Sequence, residues 1–251
     1  SAKRGPPGGA GEDVAQTIAS RAGSYKEDWQ PTDIADMGCG TGHFTAALAQ
    51  RFPDATCLGV DLAAGMVAFA RDHHRAVANL DWLCADAEAL PLADASFDLI
   101  FSNFAFQWSQ NLHDLMAEQW RLLRPGGWLL FTTVGPKTLF ELRQAWQQVD
   151  SYVHVNQFVP LRHVEAALTS AGFAIHQWQE QTLVRHYPQL SALTRELKAI
   201  GAHNVNTGRN SGLTGRKHIE ALKAAYEDFR SPEGLPSTWD ILYVAARKVC
   251  Q

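Results

Sequence analysis

A chain of 251 residues, 46% of them hydrophobic, has room for one large domain or for a domain carrying an insertion. A formal net charge of only −4 supplies no global electrostatic reason to bind nucleic acid or a membrane surface. No apolar run reaches the roughly 18 residues of a transmembrane helix.

The N-terminus shows no apolar signal region, SAKRGPPGGAG reads as disordered, and a cytoplasmic protein is expected. Cys39, Cys57, Cys84 and Cys250 lack metal-type C-x-x-C spacing and read as reduced, mostly buried thiols, so no metal site is expected. Residues 12–21 (EDVAQTIASR) have helical spacing, and RAGSY at 21–25 leads by a short polar stretch to the first strand. Residues 32–42, TDIADMGCGTG, read as a short buried strand (Ile34, Ala35, Met37) that enters a loop with Gly38, Gly40 and Gly42 at alternate positions and Asp36 just ahead. Three glycines this close suit a backbone that turns sharply and lets a ligand touch it, although such turns also occur without a ligand. The dinucleotide spacing is excluded, because it needs glycine where His43 stands.

A helix over 44–52 stops at Pro53, and residues 55–61 (ATCLGVD) form the second strand. Asp61 ends it, 19 residues past Gly42, where a carboxylate accepts hydrogen bonds from ribose hydroxyls; the alternative is a solvated strand-end Asp. A helix over 62–73 and a third strand over 80–84 (LDWLC) follow. Just past that strand, Asp86 can accept from the exocyclic amine of adenine and the Ala87 amide can donate to a ring nitrogen. Residues 97–102 are the fourth strand, 112–123 a helix, RPGG at 124–127 a tight turn, and 128–133 the fifth strand. Five strand–helix repeats with ligand groups at carboxyl ends describe an α/β fold, a doubly wound and mostly parallel sheet with its ligand at the switch point. Beyond Val134, residues 135–154 and 161–171 read as helical, the second ended by Gly172. Residues 173–184 and 239–249 are two closing strands without a crossover helix, which predicts an antiparallel edge hairpin and seven strands in all. The expected organisation is an N-terminal segment with a shortened lid (1–30), a main domain (31–186 and 237–251) and a helical cap (187–236).

The G-x-G-x-G loop behind an acidic strand end, together with Asp61 and Asp86, resembles class I S-adenosylmethionine (SAM) methyltransferases over residues 32–134. The resemblance implies SAM as cofactor, held by Asp36, Gly38, Gly40, Gly42, Asp61, Leu62, Asp86, Ala87 and Asn103. Methyl transfer from a sulfonium is an in-line displacement that needs alignment and exclusion of water, with no metal required. A carbon or hydroxyl nucleophile must lose a proton, whereas a carboxylate is already ionised at neutral pH. The segment expected to face the methyl, 103–108, offers Asn103, Gln107 and Trp108 and no His, Asp or Glu. Gln107 and Trp108 are neutral donors suited to a carboxylate; the plain alternative is a core tryptophan beside a solvated glutamine. His113 and Asp114 are expected on the helix surface.

Residues 185–223 carry seven Lys and Arg against two Glu, a basic segment in a chain that is negative overall. Such a cap suits an acidic partner or an anionic substrate, or is an ordinary solvated helix surface. FTTVGPKTLFELRQAW, VDSYVHVNQF, LKAIGAHNVNTGRNSGLTGRK and GLPSTWDILYVAARK, within 131–248, are similar to malonyl-[acyl-carrier protein] O-methyltransferases of biotin synthesis. This resemblance implies methylation of the free carboxylate of a malonyl group on an acyl carrier protein. It makes Lys198, Asn204 and Arg209 candidates for the carboxylate or the carrier surface. RAGSY resembles the family's lid element but lies unusually near the first strand, which leaves the substrate role of Tyr25 open. Two other readings are a methyltransferase of a small acid or quinone precursor, and a respiratory-complex assembly factor that uses the same fold.

Overall fold

The computed structural model describes residues 29–199 and 215–249. The segment 12–21, RAGSY with Tyr25, Asn204, Arg209 and Cys250 lie outside the described residues.

Seven strands form one sheet: β1 (Asp33–Met37), β2 (Thr56–Asp61), β3 (Leu80–Cys84), β4 (Phe97–Asn103), β5 (Leu123–Val134), β6 (Phe173–Tyr187) and β7 (Leu235–Lys248). Their order is β3-β2-β1-β4-β5-β7-β6. β1 pairs in parallel with β2 and β4, β2 with β3, and β4 with β5, and the edge strands are antiparallel. The chain therefore winds outward in both directions from β1 and β4, which opens a crevice beyond the carboxyl end of β1. The helices are α1 (His43–Arg51), α2 (Ala64–His73), α3 (Leu112–Leu122), α4 (Phe140–Gln147), α5 (Leu161–Ala171), α6 (Leu190–Ala199) and α7 (Arg216–Glu227). No helix among the described residues is long and apolar enough to cross a membrane.

The described residues fall into two compact units, 29–133 with 160–180 and 242–249, and 134–159 with 181–199 and 215–241. The second takes in 134–159 besides most of the segment expected as a cap. In the first, strand side chains alternate between two buried layers, which is why β1 reads as a continuous apolar run. Ala35, Met37, Val60, Ile100, Leu129 and Phe131 pack with Leu115 and Met116 of α3 and Leu168 of α5. Ile34, Cys57, Leu99, Phe101 and Leu130 pack with Leu48 and Ala49 of α1. The second unit has its own core of Leu142 and Ala145 from α4, Leu193 and Leu197 from α6, and Leu222 and Tyr226 from α7. The buried Tyr226 hydroxyl donates to the Pro236 carbonyl at 2.8 Å.

Three expectations are corrected. RPGG belongs to β5: the pairing steps from Phe97–Leu123 to Leu99–Trp128, so the segment bulges out of a continuing strand. Gly126 takes φ +82° there, and Arg124 ties the bulge to Asp33 and Asp98 at 2.8 and 2.9 Å. Residues 135–154 are helical only over α4, because the amides of Gly135 and Leu139 bond to the β7 carbonyls of Asp240 and Thr238, each at 2.7 Å. Backbone donors already satisfied by a strand cannot also build a helical turn. Finally, turns rather than a helix connect β3 to β4, so one of the five strand–helix repeats lacks its helix.

Candidate active site

The glycine loop leaves β1 at its carboxyl end. Gly38, Gly40 and Gly42 take φ of +75°, +54° and +79°, the left-handed region that side chains disfavour. A Cβ on Gly38 would lie 2.2 Å from Cβ of Ala105, and one on Gly42 would lie 2.4 Å from Trp82. The first contact brings the glycine loop against the segment that follows β4. Gly40 has open space where a side chain would stand. The loop is pinned from behind, with Val60 O accepting from the amides of Gly38 and Cys39 at 2.8 and 3.0 Å.

Two carboxylates flank the loop. Asp36 is 2% exposed and accepts from the Thr45 hydroxyl of α1 at 2.6 Å. Burial pushes its carboxyl up to about 7, and the nearby Asp61 charge adds to the shift, while the Thr45 hydrogen bond opposes it. Asp61 accepts from the Gly40 amide at 2.8 Å through one oxygen and from the Ala63 amide at 2.9 Å through the other. Each oxygen retains a lone pair, so Asp61 both fixes the loop and can still receive hydroxyls. Leu62 beside it is 72% exposed, an apolar side chain standing free at the mouth of the crevice. Exposed Asp86 accepts from the Glu88 amide at 2.9 Å, and the Ala87 carbonyl takes the Gln119 side-chain amide at 2.9 Å, so this turn too is held open and ordered.

Past β4, the chain turns through Phe104 at φ +50°. Thr132 holds the turn, donating to Asn103 Oδ1 at 2.7 Å and accepting from the Phe104 amide at 3.0 Å. Gln107 donates Nε2 to the Phe104 carbonyl, which leaves its Oε1 buried without a partner among the described residues. The side chain thus presents an acceptor as well as the neutral donor expected of it. Trp108 is 36% exposed and is not a core residue. His113 and Asp114 face solvent, and Asn111 Oδ1 caps α3 by accepting from their amides. In the cap segment, Arg185 pairs with Glu196 and Lys223 with Glu220, so both acidic residues are occupied. Among the described residues the surplus charge rests on exposed Arg195, Lys198, Arg216 and Lys217.

Sequence reasoning passed over Thr45, Trp82 and Thr132. Thr45 had a signal, as a hydroxyl on the buried face of FTAALAQR. Cys39 and Cys57 are buried, which pushes the Cys57 thiol up to about 12 and that of Cys39 higher still. Cys84 is exposed.

The loop fits SAM. It offers open space beside the backbone at Gly40, acceptors at Asp61 and Asp86, and negative potential for a cationic donor. The model of the Methyltransferase domain family matches residues 35–131. A solved S-adenosylmethionine dependent methyltransferase from Mesorhizobium loti superposes with a TM-score of 0.55 over 94% of this chain and 99% of its own, at 23% identity. Fold and family model together place the chain among class I SAM-dependent methyltransferases. The chain is 47% identical to the malonyl-[acyl-carrier protein] O-methyltransferase of Methylococcus capsulatus, over 78% of this chain and 71% of that protein. It is also 47% identical to the biotin biosynthesis bifunctional protein BioHC of Cellvibrio japonicus, over 86% of this chain but only 42% of that longer protein. The chain belongs to the malonyl-[acyl-carrier protein] O-methyltransferase family.

Proposed function

We propose that this chain transfers the methyl group of SAM to the free carboxylate of a malonyl group borne by an acyl carrier protein, giving the methyl ester that primes synthesis of the pimeloyl precursor of biotin. The observation that carries this reading is the 47% identity to the Methylococcus capsulatus enzyme, which extends past the SAM-binding half into the region where substrates differ. When bound, SAM supplies an electrophilic methyl on a positively charged sulfur. Asp36, Gly38, Gly40, Gly42, Asp61, Leu62, Asp86, Ala87 and Asn103 hold the cofactor. Asp61 receives the ribose, and Asp86 with Ala87 receives the adenine.

Gln107 and Trp108 orient the acceptor. The lack of an ionisable side chain in 103–108 suits an acceptor that is ionised before it arrives. Lys198, Asn204 and Arg209 serve the malonyl carboxylate or the acidic carrier surface, Tyr25 serves substrate binding, and no metal takes part. The cap over 187–236 recognises the carrier, the domain of 31–186 and 237–251 binds SAM, and the protein works in the cytoplasm.

The test mixes purified protein and methyl-labelled SAM with malonyl-carrier protein, acetyl-carrier protein or free malonate. Base-labile label on malonyl-carrier protein alone supports the reading. Label on free malonate favours a small-acid methyltransferase, and no label on any acceptor removes the assignment.

A further inference from the structure

The second unit holds an arginine whose hydrogen bonds go to neutral groups. Arg143 on α4 is half-buried. It donates from Nη2 to the Pro136 carbonyl at 2.6 Å and from Nη1 to the Asn156 carbonyl at 3.3 Å. Both acceptors are neutral. Arg121, Arg124, Arg185 and Arg230 each hold at least one carboxylate. Among the described residues no carboxylate forms an ion pair with Arg143. The acid two positions earlier, Glu141, is buried and occupied by the amide and hydroxyl of Thr238. Burial pushes the Arg143 guanidinium below its ordinary range, and the nearby Glu141 charge opposes that shift. Two carbonyls need only neutral donors, and a half-buried guanidinium gains further when an anion meets it directly.

The surroundings hold this cation in place. His154 stacks on Trp146 at 3.6 Å between ring centroids and 10° between planes, and its Nε2 lies 2.7 Å from Asp150 Oδ1. That arrangement fixes the 150–156 loop along α4 and so fixes the carbonyl of Asn156 against the guanidinium. Further N–H donors of the planar fork remain for an incoming group, in the geometry that matches paired anionic oxygens. α4 begins six residues beyond the end of β5, and in this fold class ligand groups gather past the carboxyl ends of strands.

We infer that Arg143 is the receptor for an anionic group of the acyl substrate, its carboxylate or the phosphodiester of its pantetheine arm. The inference rests on the function proposed above and names a specificity-determining residue for it.

Kinetics of Arg143→Gln and Arg143→Lys on malonyl-carrier protein and on malonyl-pantetheine, which lacks the phosphate, test the inference. The Gln variant should raise KM by about ten- to a hundred-fold, with kcat and S-adenosylhomocysteine affinity little changed, and Lys should recover part of the loss. A rise on both substrates assigns the carboxylate, and a rise on the carrier substrate alone assigns the phosphodiester. KM within about twofold of wild type on both overturns the inference. Should the variants not fold, phenylglyoxal labelling of the wild-type protein decides instead: malonyl-carrier protein must protect Arg143, and unchanged reactivity overturns the inference. A wild-type protein that methylates neither acceptor removes the functional reading instead, and the labelling still reports on Arg143.

Discussion

Replacing Asp36 by Asn isolates the electrostatics of the glycine loop. The carboxyl rises from an ordinary 3.8 to about 7 because it is buried, and Asp61 opposes its ionisation further. The folded protein therefore keeps the proton through a window in which the unfolded chain has lost it. Stability from this group is fully present below about pH 4 and is lost as pH rises towards 7. At about 1.4 kcal/mol per pKa unit, the ionised carboxylate destabilises the ligand-free protein by up to about 4 kcal/mol above pH 7. Asn cannot ionise and retains an oxygen for the Thr45 hydroxyl. Urea unfolding of Asp36→Asn and wild type should give similar stabilities near pH 4 and diverge in favour of the variant as pH rises to about 8. SAM is cationic and favours the ionised carboxylate, so SAM binding near pH 7 should release a proton in wild type and bind more weakly to the variant. A stability difference independent of pH, or a variant less stable at pH 8, would refute this account of Asp36.

Asp61→Ala removes the acceptor of the Gly40 and Ala63 amides and should weaken SAM binding by about 1–3 kcal/mol, measured by calorimetry; an unchanged affinity would contradict the cofactor site. Gly38→Ala forces a Cβ to 2.2 Å from Ala105 at φ +75°, whereas Gly40→Ala meets nothing within 4 Å. Thermal unfolding should show Gly38→Ala destabilised by about 1–3 kcal/mol more than Gly40→Ala, and equal losses would mean the Ala105 contact is unimportant. Lys198→Glu, a charge reversal on an exposed residue, should raise KM for malonyl-carrier protein and leave SAM affinity intact. The opposite pattern would move Lys198 out of the carrier surface.

The parts of the fold written in local chemistry were legible in the sequence. β3 and α5 have their expected bounds, because apolar periodicity and the terminating Gly172 are properties of short stretches. Gly38, Gly40 and Gly42 announced a sharply turning backbone, and their positive φ is that turn. What the sequence hid depends on partners distant along the chain. The bulge at Arg124 needs β4 beside it, and the delayed start of α4 needs the β7 carbonyls of Thr238 and Asp240. The reason Gly38 must lack a side chain is Ala105, 67 residues on. Arg143 looked like any helix-surface arginine in FELRQAWQ, and only its half-burial against two carbonyls sets it apart. Total charge located the basic cap but not its usable part, which pairing with Glu196 and Glu220 reduces.

The most direct measurement is tandem mass spectrometry of the pantetheine arm released from malonyl-carrier protein after incubation with the protein and SAM. The malonyl group should be heavier by one methylene, with the addition on the terminal carboxyl, and mild base should return free malonyl. An unmodified arm, or a base-stable methyl on the malonyl carbon, would contradict carboxyl methylation by this chain.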